Sequence, residues 1–194
     1  MRAVEQDALL EQLHGFPAQP WLWLAPSAAW QPLRVPLGRG ICLQRAADGC
    51  QWQGDVRCAL PLPLPSEAVN AIVLEHAAAL QLEPLLAECA RVLMPGGRLW
   101  LTLLNPCSPY RSQWQWQGAR PPSATHCRAV LRRHGLRTRS VCHFGPLWSD
   151  SGQGNGSVLP ALRAASMLEF EKRAHAFIGP EPVRANAWRG PVAT

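Results

Sequence analysis

Residues 86–106, LAECARVLMPGGRLWLTLLNP, decide the fold of this chain. Apolar residues recur at helical spacing over positions 82–93, which predicts an amphipathic helix there. Pro95 cannot continue that helix, and the two glycines that follow it can adopt the backbone angles of a tight reversal. The near-continuous apolar run of residues 99–104 then predicts a strand buried on both faces. A helix that leads into such a strand through a three-residue turn is half of an α/β unit.

The segment just upstream, residues 62–80, reads LPLPSEAVNAIVLEHAAAL and predicts another buried strand over 70–74. In order and separation, the two segments resemble the region around the fourth and fifth strands of class I S-adenosylmethionine-dependent methyltransferases, the small-molecule type. The resemblance covers about residues 60–106. It implies an α/β, Rossmann-like fold with a mostly parallel sheet and helices on both faces. It also implies S-adenosylmethionine as the cofactor and methyl donor.

The rest of the chain supplies elements of the same kind. Closely spaced prolines between Pro26 and Pro36 leave no room for a long helix, so we expect a shortened N-terminal part. We expect one methyltransferase-like domain over residues 1–178 and a poorly ordered tail over 179–194, where core residues are few. The further predicted elements are a helix at 4–14, strands at 21–25, 41–43 and near 55–60, a helix from the N-cap Ser123 to about His134, a strand at 136–144 and a helix at 159–176.

Composition excludes several classes of protein. With 47% hydrophobic and 16% charged residues, the chain is folded rather than disordered. No apolar run is long enough for a membrane helix, and no signal peptide is recognisable at the start, which predicts a cytoplasmic protein.

The net charge of the chain is +6, and the densest cluster of positive charge consists of five arginines, which are a candidate patch for an anionic partner. No nucleic-acid motif accompanies that patch, which disfavours a nucleic-acid partner. The five are Arg128, Arg132, Arg133, Arg137 and Arg139.

The seven cysteines form no Cys-x-x-Cys pair, and their number is odd. In a cytoplasmic protein, this pattern predicts reduced thiols that are mostly buried as small hydrophobic groups. His126-Cys127 and Cys142-His143 could approach each other, but zinc sites usually show tighter local spacing. We therefore expect no metal site.

In the resembled family, the donor lies against a glycine-rich loop after the first strand, with an acid after the second strand. Here no glycine follows the first strand, and Gln44-Arg45 stand where the acid is expected. The resemblance therefore implies a degenerate active site. The candidate donor contacts are Ala25, Ser27, Asp55, Leu74 and Glu75, with Asp55 as the adenine partner.

His76 follows the fourth strand at the expected mouth of the site, where it is a candidate general base. Its alternative role is a solvent-facing or capping residue at a strand–helix junction. Trp114 and Trp116 lie after the fifth strand, where the resembled family builds its acceptor pocket. These tryptophans are candidates for contacts with a substrate or a protein partner, or else they cover the sheet edge.

Two functions follow from these observations. The first is methyl transfer from S-adenosylmethionine to an unknown small-molecule acceptor. The second is a catalytically inactive methyltransferase-fold protein that has lost donor binding and acts as a binding or regulatory partner, including as a homodimer. The two matching segments favour the superfamily fold, and the glycine-free loop favours the loss of donor binding.

Overall fold

A computed structural model describes residues 2–17, 19–34, 36–77, 79–105, 107–108, 121–145 and 163–173. Within these ranges the chain builds a seven-stranded sheet with the strand order β3-β2-β1-β4-β5-β7-β6. The strands are β1 Trp21–Ala25, β2 Gly40–Arg45, β3 Trp52–Gly54, β4 Val69–Leu74, β5 Leu93–Leu104, β6 Leu136–Phe144 and β7 Ala165–Lys172. The helices are α1 Arg2–His14, α2 Leu82–Val92 and α3 Ala124–Arg133, with a short 3₁₀ helix at Ala28–Trp30.

Five of the seven strands run in the same direction. The central strands β2, β1, β4 and β5 pair in parallel, whereas β3 is antiparallel to β2 and β7 is antiparallel to both β5 and β6. The predicted α/β architecture with a mostly parallel sheet is confirmed.

Strand periodicity divides the core into two layers, because successive side chains point to opposite faces of a sheet. On β1, Trp21 and Trp23 pack with the α1 residues Leu9 and Leu13 on one face. Leu22 and Leu24 of the same strand pack on the other face, against α2 and α3. Helices therefore cover both faces of the sheet, as predicted.

The decisive segment forms its helix and its strand, but the expected three-residue turn between them is wrong. The chain becomes extended at Leu93, immediately after α2, and Leu93 already pairs with Val69. The next paired residues are Ala71 and Arg98, so β5 accommodates its extra residues in a bulge. Gly97 lies at this bulge because a side chain there would meet the carbonyl oxygen of Asn70 at 2.8 Å.

Two other strand assignments differ from prediction. The third strand is Trp52–Gly54 rather than residues 55–60, because a short hairpin folds it back antiparallel onto β2. The helix predicted at 159–176 is wrong, since residues 165–172 form β7 between β5 and β6. Met167, Leu168 and Phe170 are buried there, which satisfies both faces of the sheet. The tail at 179–194 lies outside the described residues.

The remaining elements lie close to their predicted positions. Strand β1 has the predicted bounds, and α3 begins directly after Ser123, whose side chain makes no capping hydrogen bond. Between Pro26 and Pro36, the described residues contain only the 3₁₀ helix, which agrees with a shortened N-terminal part. None of the described helices combines the length and the apolarity that crossing a membrane requires.

Candidate functional site

The strand order reverses between β1 and β4, so the crevice at their carboxyl ends is where an open α/β sheet binds ligands. Ala25 and Leu74 end these strands there, and Ser27 precedes the 3₁₀ helix after β1. Ala25 and Leu74 are each 1% exposed, and Ser27 is partly exposed. The structure thus brings these predicted residues to one place, but it leaves the two strand ends covered.

The cover is a network of buried polar side chains around Glu75. The Glu75 carboxylate accepts a hydrogen bond from Trp23 Nε1 at 3.1 Å and another from Gln6 Nε2 at 3.1 Å. Burial raises the pKa of Glu75 to about 7, with a further rise from the nearby charge of Glu5. The Trp23 and Gln6 hydrogen bonds and His76 act in the opposite direction. Glu75 is therefore a carboxyl group that titrates near neutral pH.

His76 belongs to the same network. Its Nε2 lies 2.8 Å from Glu5 Oε1, and both side chains are almost completely buried. The ring packs edge-on against Trp30 at 4.6 Å between centroids, and the backbone N–H donates to Thr102 Oγ1. Burial lowers the pKa of His76, but the Glu5 carboxylate outweighs it and the net effect is a raised pKa. The backbone of His76 has φ +43, a strained conformation of the kind found at functional sites.

The Gln6 side chain connects α1 to the loop after β1 through hydrogen bonds. Its Oε1 accepts a hydrogen bond from the Leu33 backbone N–H at 2.8 Å, and its Nε2 lies 3.4 Å from the carbonyl oxygen of Trp30. Because the same amide donates to Glu75, one side chain links α1, the loop and the end of β4. The N-terminal helix therefore occupies the mouth of the crevice.

The end of the second strand is also occupied. Arg45 Nη1 donates to the carbonyl oxygens of Gly49 at 2.8 Å and Leu80 at 3.2 Å, and its guanidinium lies over the Trp52 ring. The acid that the resembled family has here is absent, as the sequence predicted, and a fixed cation stands in its place.

Asp55 makes contacts of its own, distinct from the hydrogen bonds around Glu75. Its carboxylate accepts a hydrogen bond from the Cys42 backbone N–H at 2.7 Å, and its own N–H donates to the Cys42 carbonyl oxygen. These contacts stabilise the hairpin between β2 and β3. Asp55 also lines a shallow, open depression with Gln31 and Gln44.

The sequence analysis missed Glu5, Gln6, Trp23, Trp30 and Thr102 as members of the site. One signal was available for Glu5, which shares a helical face with Leu9 and Leu13 at i, i+4 and i+8. A carboxylate on an apolar stripe requires a buried partner. Trp114 and Trp116 lie outside the described residues. The described part of the chain contains no cluster of three or more His, Cys, Asp or Glu that could hold a metal ion.

No protein-family model and no curated protein sequence matches the chain. Solved structures match its fold. An S-adenosylmethionine-dependent methyltransferase from Archaeoglobus fulgidus is 14% identical with a TM-score of 0.61, and the match covers 89% of this chain and 95% of that one. Geranyl diphosphate C-methyltransferase from Streptomyces coelicolor A3(2), in complex with Mg²⁺, geranyl diphosphate and S-adenosyl-L-homocysteine, is 14% identical with a TM-score of 0.59, over 86% and 77% of the two chains.

The [4+2]-cyclase SpnF is also similar, with 14% identity and a TM-score of 0.58 over 86% of this chain and 81% of that one. At these identities, the matches establish the fold. The chain has the class I S-adenosylmethionine-dependent methyltransferase fold.

Proposed function

We propose that this protein is a methyltransferase-fold binding or regulatory protein whose donor site is closed by its own N-terminal helix. The observation that supports this most directly is the burial of Glu5 and Gln6, at 0% and 1% exposure, among the side chains at the carboxyl ends of β1 and β4. A fold does not fix a function. The fold match to a protein named as a cyclase illustrates that this fold also occurs in proteins with activities other than methyl transfer.

The loop after β1 is unsuited to a methyl donor. Close approach of a backbone to the methionine and sugar parts of a ligand requires residues without side chains. Here β1 ends at Ala25, and the next residue is Pro26, which has no N–H. Further along the loop, the Trp30 ring packs edge-on against His76. In addition, Arg45 stands where an acid would hold the ribose hydroxyls, and its guanidinium is already engaged.

A second function is supported by the polar character of the closure. Helix α1 is held at the mouth through the Gln6–Glu75 and Glu5–His76 contacts, and water can replace both. If α1 moved away, Glu75 and His76 would face the opened crevice. Methyl transfer to a small molecule needs little beyond proximity of donor and acceptor, and His76 would be placed as a general base.

Thermal unfolding in the presence of S-adenosylmethionine or S-adenosylhomocysteine separates the two functions. We expect no change in Tm up to millimolar ligand for the wild-type protein and for Gln6→Ala. Binding to the folded state would add about 2.7 kcal/mol at a hundredfold excess over Kd. A clear rise in Tm for the wild type would overturn the proposal.

The Gln6→Ala variant tests whether the donor site is lost or only covered. A rise in Tm limited to this variant would favour the methyltransferase with a movable α1. Gln12→Ala is the matched control, because Gln12 is an exposed glutamine on the same helix. An equal response of both variants would instead indicate a general loosening of α1.

The thiols support a reducing compartment, and we place the protein in the cytoplasm. All seven cysteines are free in the structure. Only Cys89 and Cys127 are buried, however, whereas Cys50, Cys107 and Cys142 are exposed, so the expectation that most thiols are buried was wrong.

The partner of a binding protein of this kind would be a small molecule, another protein or a second copy of the chain.

A further inference from the structure

A second concave surface lies at the edge of the sheet opposite β3, between α3 and the beginning of β6. It has a volume of about 1000 Å³, is open to solvent, and is lined by five arginines. We call it the arginine cleft and define it by Arg128, Arg132, Arg133, Arg137 and Arg173. Arg173 follows β7 and was not part of the arginine patch predicted from the sequence, and Arg139 of that patch is not in the lining.

The described lining of the arginine cleft contains no carboxylate. Glu83 approaches its rim, at 4.0 Å from Arg133, and Glu171 is engaged by Arg139 outside the cleft. Within the described residues, no carboxylate forms an ion pair with the remaining four arginines of the cleft. Five guanidinium groups around one space repel one another, and a bound anion relieves that repulsion.

One nitrogen of Arg128 is buried in the protein without a hydrogen-bond acceptor among the described residues. This nitrogen, Nε, is shielded from solvent and makes no hydrogen bond to a described residue. A buried donor without an acceptor costs free energy. The Arg128 side chain would have to rotate before a ligand oxygen in the cleft could serve as that acceptor.

The chemistry of the lining favours phosphate. Guanidinium groups bind phosphate oxygens through paired N–H donors, and several of them around one cavity suit a ligand with several adjacent negative charges. All but one of the 19 basic residues of the chain are arginines, so the preference for arginine over lysine carries no information here. The grouping of five positive charges around one cavity, in contrast, does favour an anionic ligand.

The shape of the cleft favours a compact ligand over a nucleic acid. The cleft is open to solvent, but its volume of about 1000 Å³ lies in the range of small-molecule sites, whereas specific nucleic-acid interfaces spread over a larger area. No aromatic side chain is among the described lining residues, and single-stranded RNA is recognised largely by base stacking on such side chains. We propose that the arginine cleft binds compact polyphosphate, a chain of three or more linked phosphates, either free or carried by a nucleotide.

Calorimetric titration of the full-length protein with inorganic tripolyphosphate tests the proposal, with ATP and adenosine titrated in parallel. We expect tripolyphosphate and ATP to bind, with weaker binding at higher salt, and adenosine not to bind. The double variant R132A/R137A should lower the affinity about tenfold or more. Both side chains are exposed, so the variant should fold, and circular dichroism checks this.

The control is R34A/R39A, which removes the same charge from two exposed arginines away from the cleft. It should change the affinity by less than about threefold. Equal losses in the two double variants would show attraction to net charge alone and would overturn the site. So would the absence of binding at millimolar tripolyphosphate.

Two further arms identify the source of the phosphate and test a nucleic-acid ligand. Binding of ATP that is tighter than that of tripolyphosphate and is lost in R132A/R137A would support the nucleotide-carried form. Equal affinities would support free polyphosphate. A single-stranded RNA homopolymer that binds more tightly than both, and loses binding in R132A/R137A, would assign the cleft to nucleic acid and overturn the proposal.

Discussion

Glu75 shows how one residue can connect the fold with the solution behaviour of the protein. Its carboxyl is nearly fully buried, yet it receives only two hydrogen bonds from neutral donors, Trp23 and Gln6. Two neutral donors do not replace the hydration of a full negative charge, so burial dominates its pKa.

The free energy of unfolding should therefore fall as the pH rises from about 5 to about 8. The pKa of Glu75 is raised from 4.5 to about 7 in the folded protein, so the folded state binds the proton more tightly than the unfolded state. Its stabilising contribution is complete below the unfolded pKa and is lost as the pH passes the folded one. The change amounts to about 3 kcal/mol. His76 acts in the same direction, because its pKa is also raised.

Urea unfolding at a series of pH values measures this effect. Glu75→Gln should remove most of the slope, because the amide does not titrate. Glu11→Gln, at an exposed position of α1, should leave the slope unchanged. A slope that is as steep in Glu75→Gln as in the wild type would assign the titration to another group.

The position of Glu75 and His76 could be predicted from the sequence, whereas their partners could not. Both residues directly follow the short apolar run of residues 70–74, whose length favours a buried strand over a helix. Gln6, in contrast, reaches Glu75 across 69 positions of the chain. Local periodicity carries no information about such a contact, because it depends on where α1 packs on the finished sheet.

At the scale of secondary structure, the Pro-Gly-Gly sequence does not end helix α2, although such a sequence usually predicts the end of a helix. Helix α2 already ends at Val92, before Pro95, because Leu93 pairs with Val69. The proline and glycines then form the bulge of β5. The element types were predictable from residue periodicity, but the junction was decided by strand pairing.

Gly97→Ala should destabilise the protein by about 1–3 kcal/mol. An added Cβ would lie 2.8 Å from the Asn70 carbonyl oxygen and 2.8 Å from Leu93 Cδ1, so the bulge would have to shift. Chemical denaturation of the variant and the wild type measures the difference.

Gly15→Ala is the control for that experiment, because the nearest atom to its added Cβ is 3.8 Å away. It should be neutral or stabilising by up to about 1 kcal/mol. Comparable losses at both glycines would show that the cost comes from chain entropy or helix termination rather than from the bulge.

The error at β7 has a related cause. Residues 165–172 contain a short apolar run, and periodicity alone does not distinguish a buried strand from a buried helix at that length. The run becomes a strand because it pairs along most of its length with both β5 and β6. Only the pairing partners, which are distant in sequence, decide between the two structures.

At the scale of the whole molecule, the sheet separates two apolar layers, each with its own set of buried residues. Ile72 belongs to the layer with α2 and α3, and Met167 belongs to the layer with α1. The strand β5 also lies between their strands. Substitutions in the two layers should therefore act independently.

Ile72→Val should cost about 1 kcal/mol and Met167→Ala about 2 kcal/mol or more. The double variant should lose the sum of the two values to within about 0.5 kcal/mol. Urea denaturation of the three variants measures these losses. A larger discrepancy would mean that the sheet transmits packing changes from one layer to the other.

The general architecture was predictable because two neighbouring segments have the order and spacing of adjacent strands in one superfamily. The closure of the crevice was not, since it depends on a helix from the start of the chain packing beside strands in its middle. The sequence revealed that the glycine-rich loop was missing, but it did not reveal what occupies the space.

The indole of Trp23 has an optical consequence. Its ring is completely buried, and its N–H is donated to the carboxylate of Glu75. The emission of this fluorophore should respond when that neighbour gains a proton or when water enters beside it. Because the chain has nine tryptophans, the difference in emission between the wild type and Trp23→Phe would isolate this signal and report on a single concealed acid without any added dye.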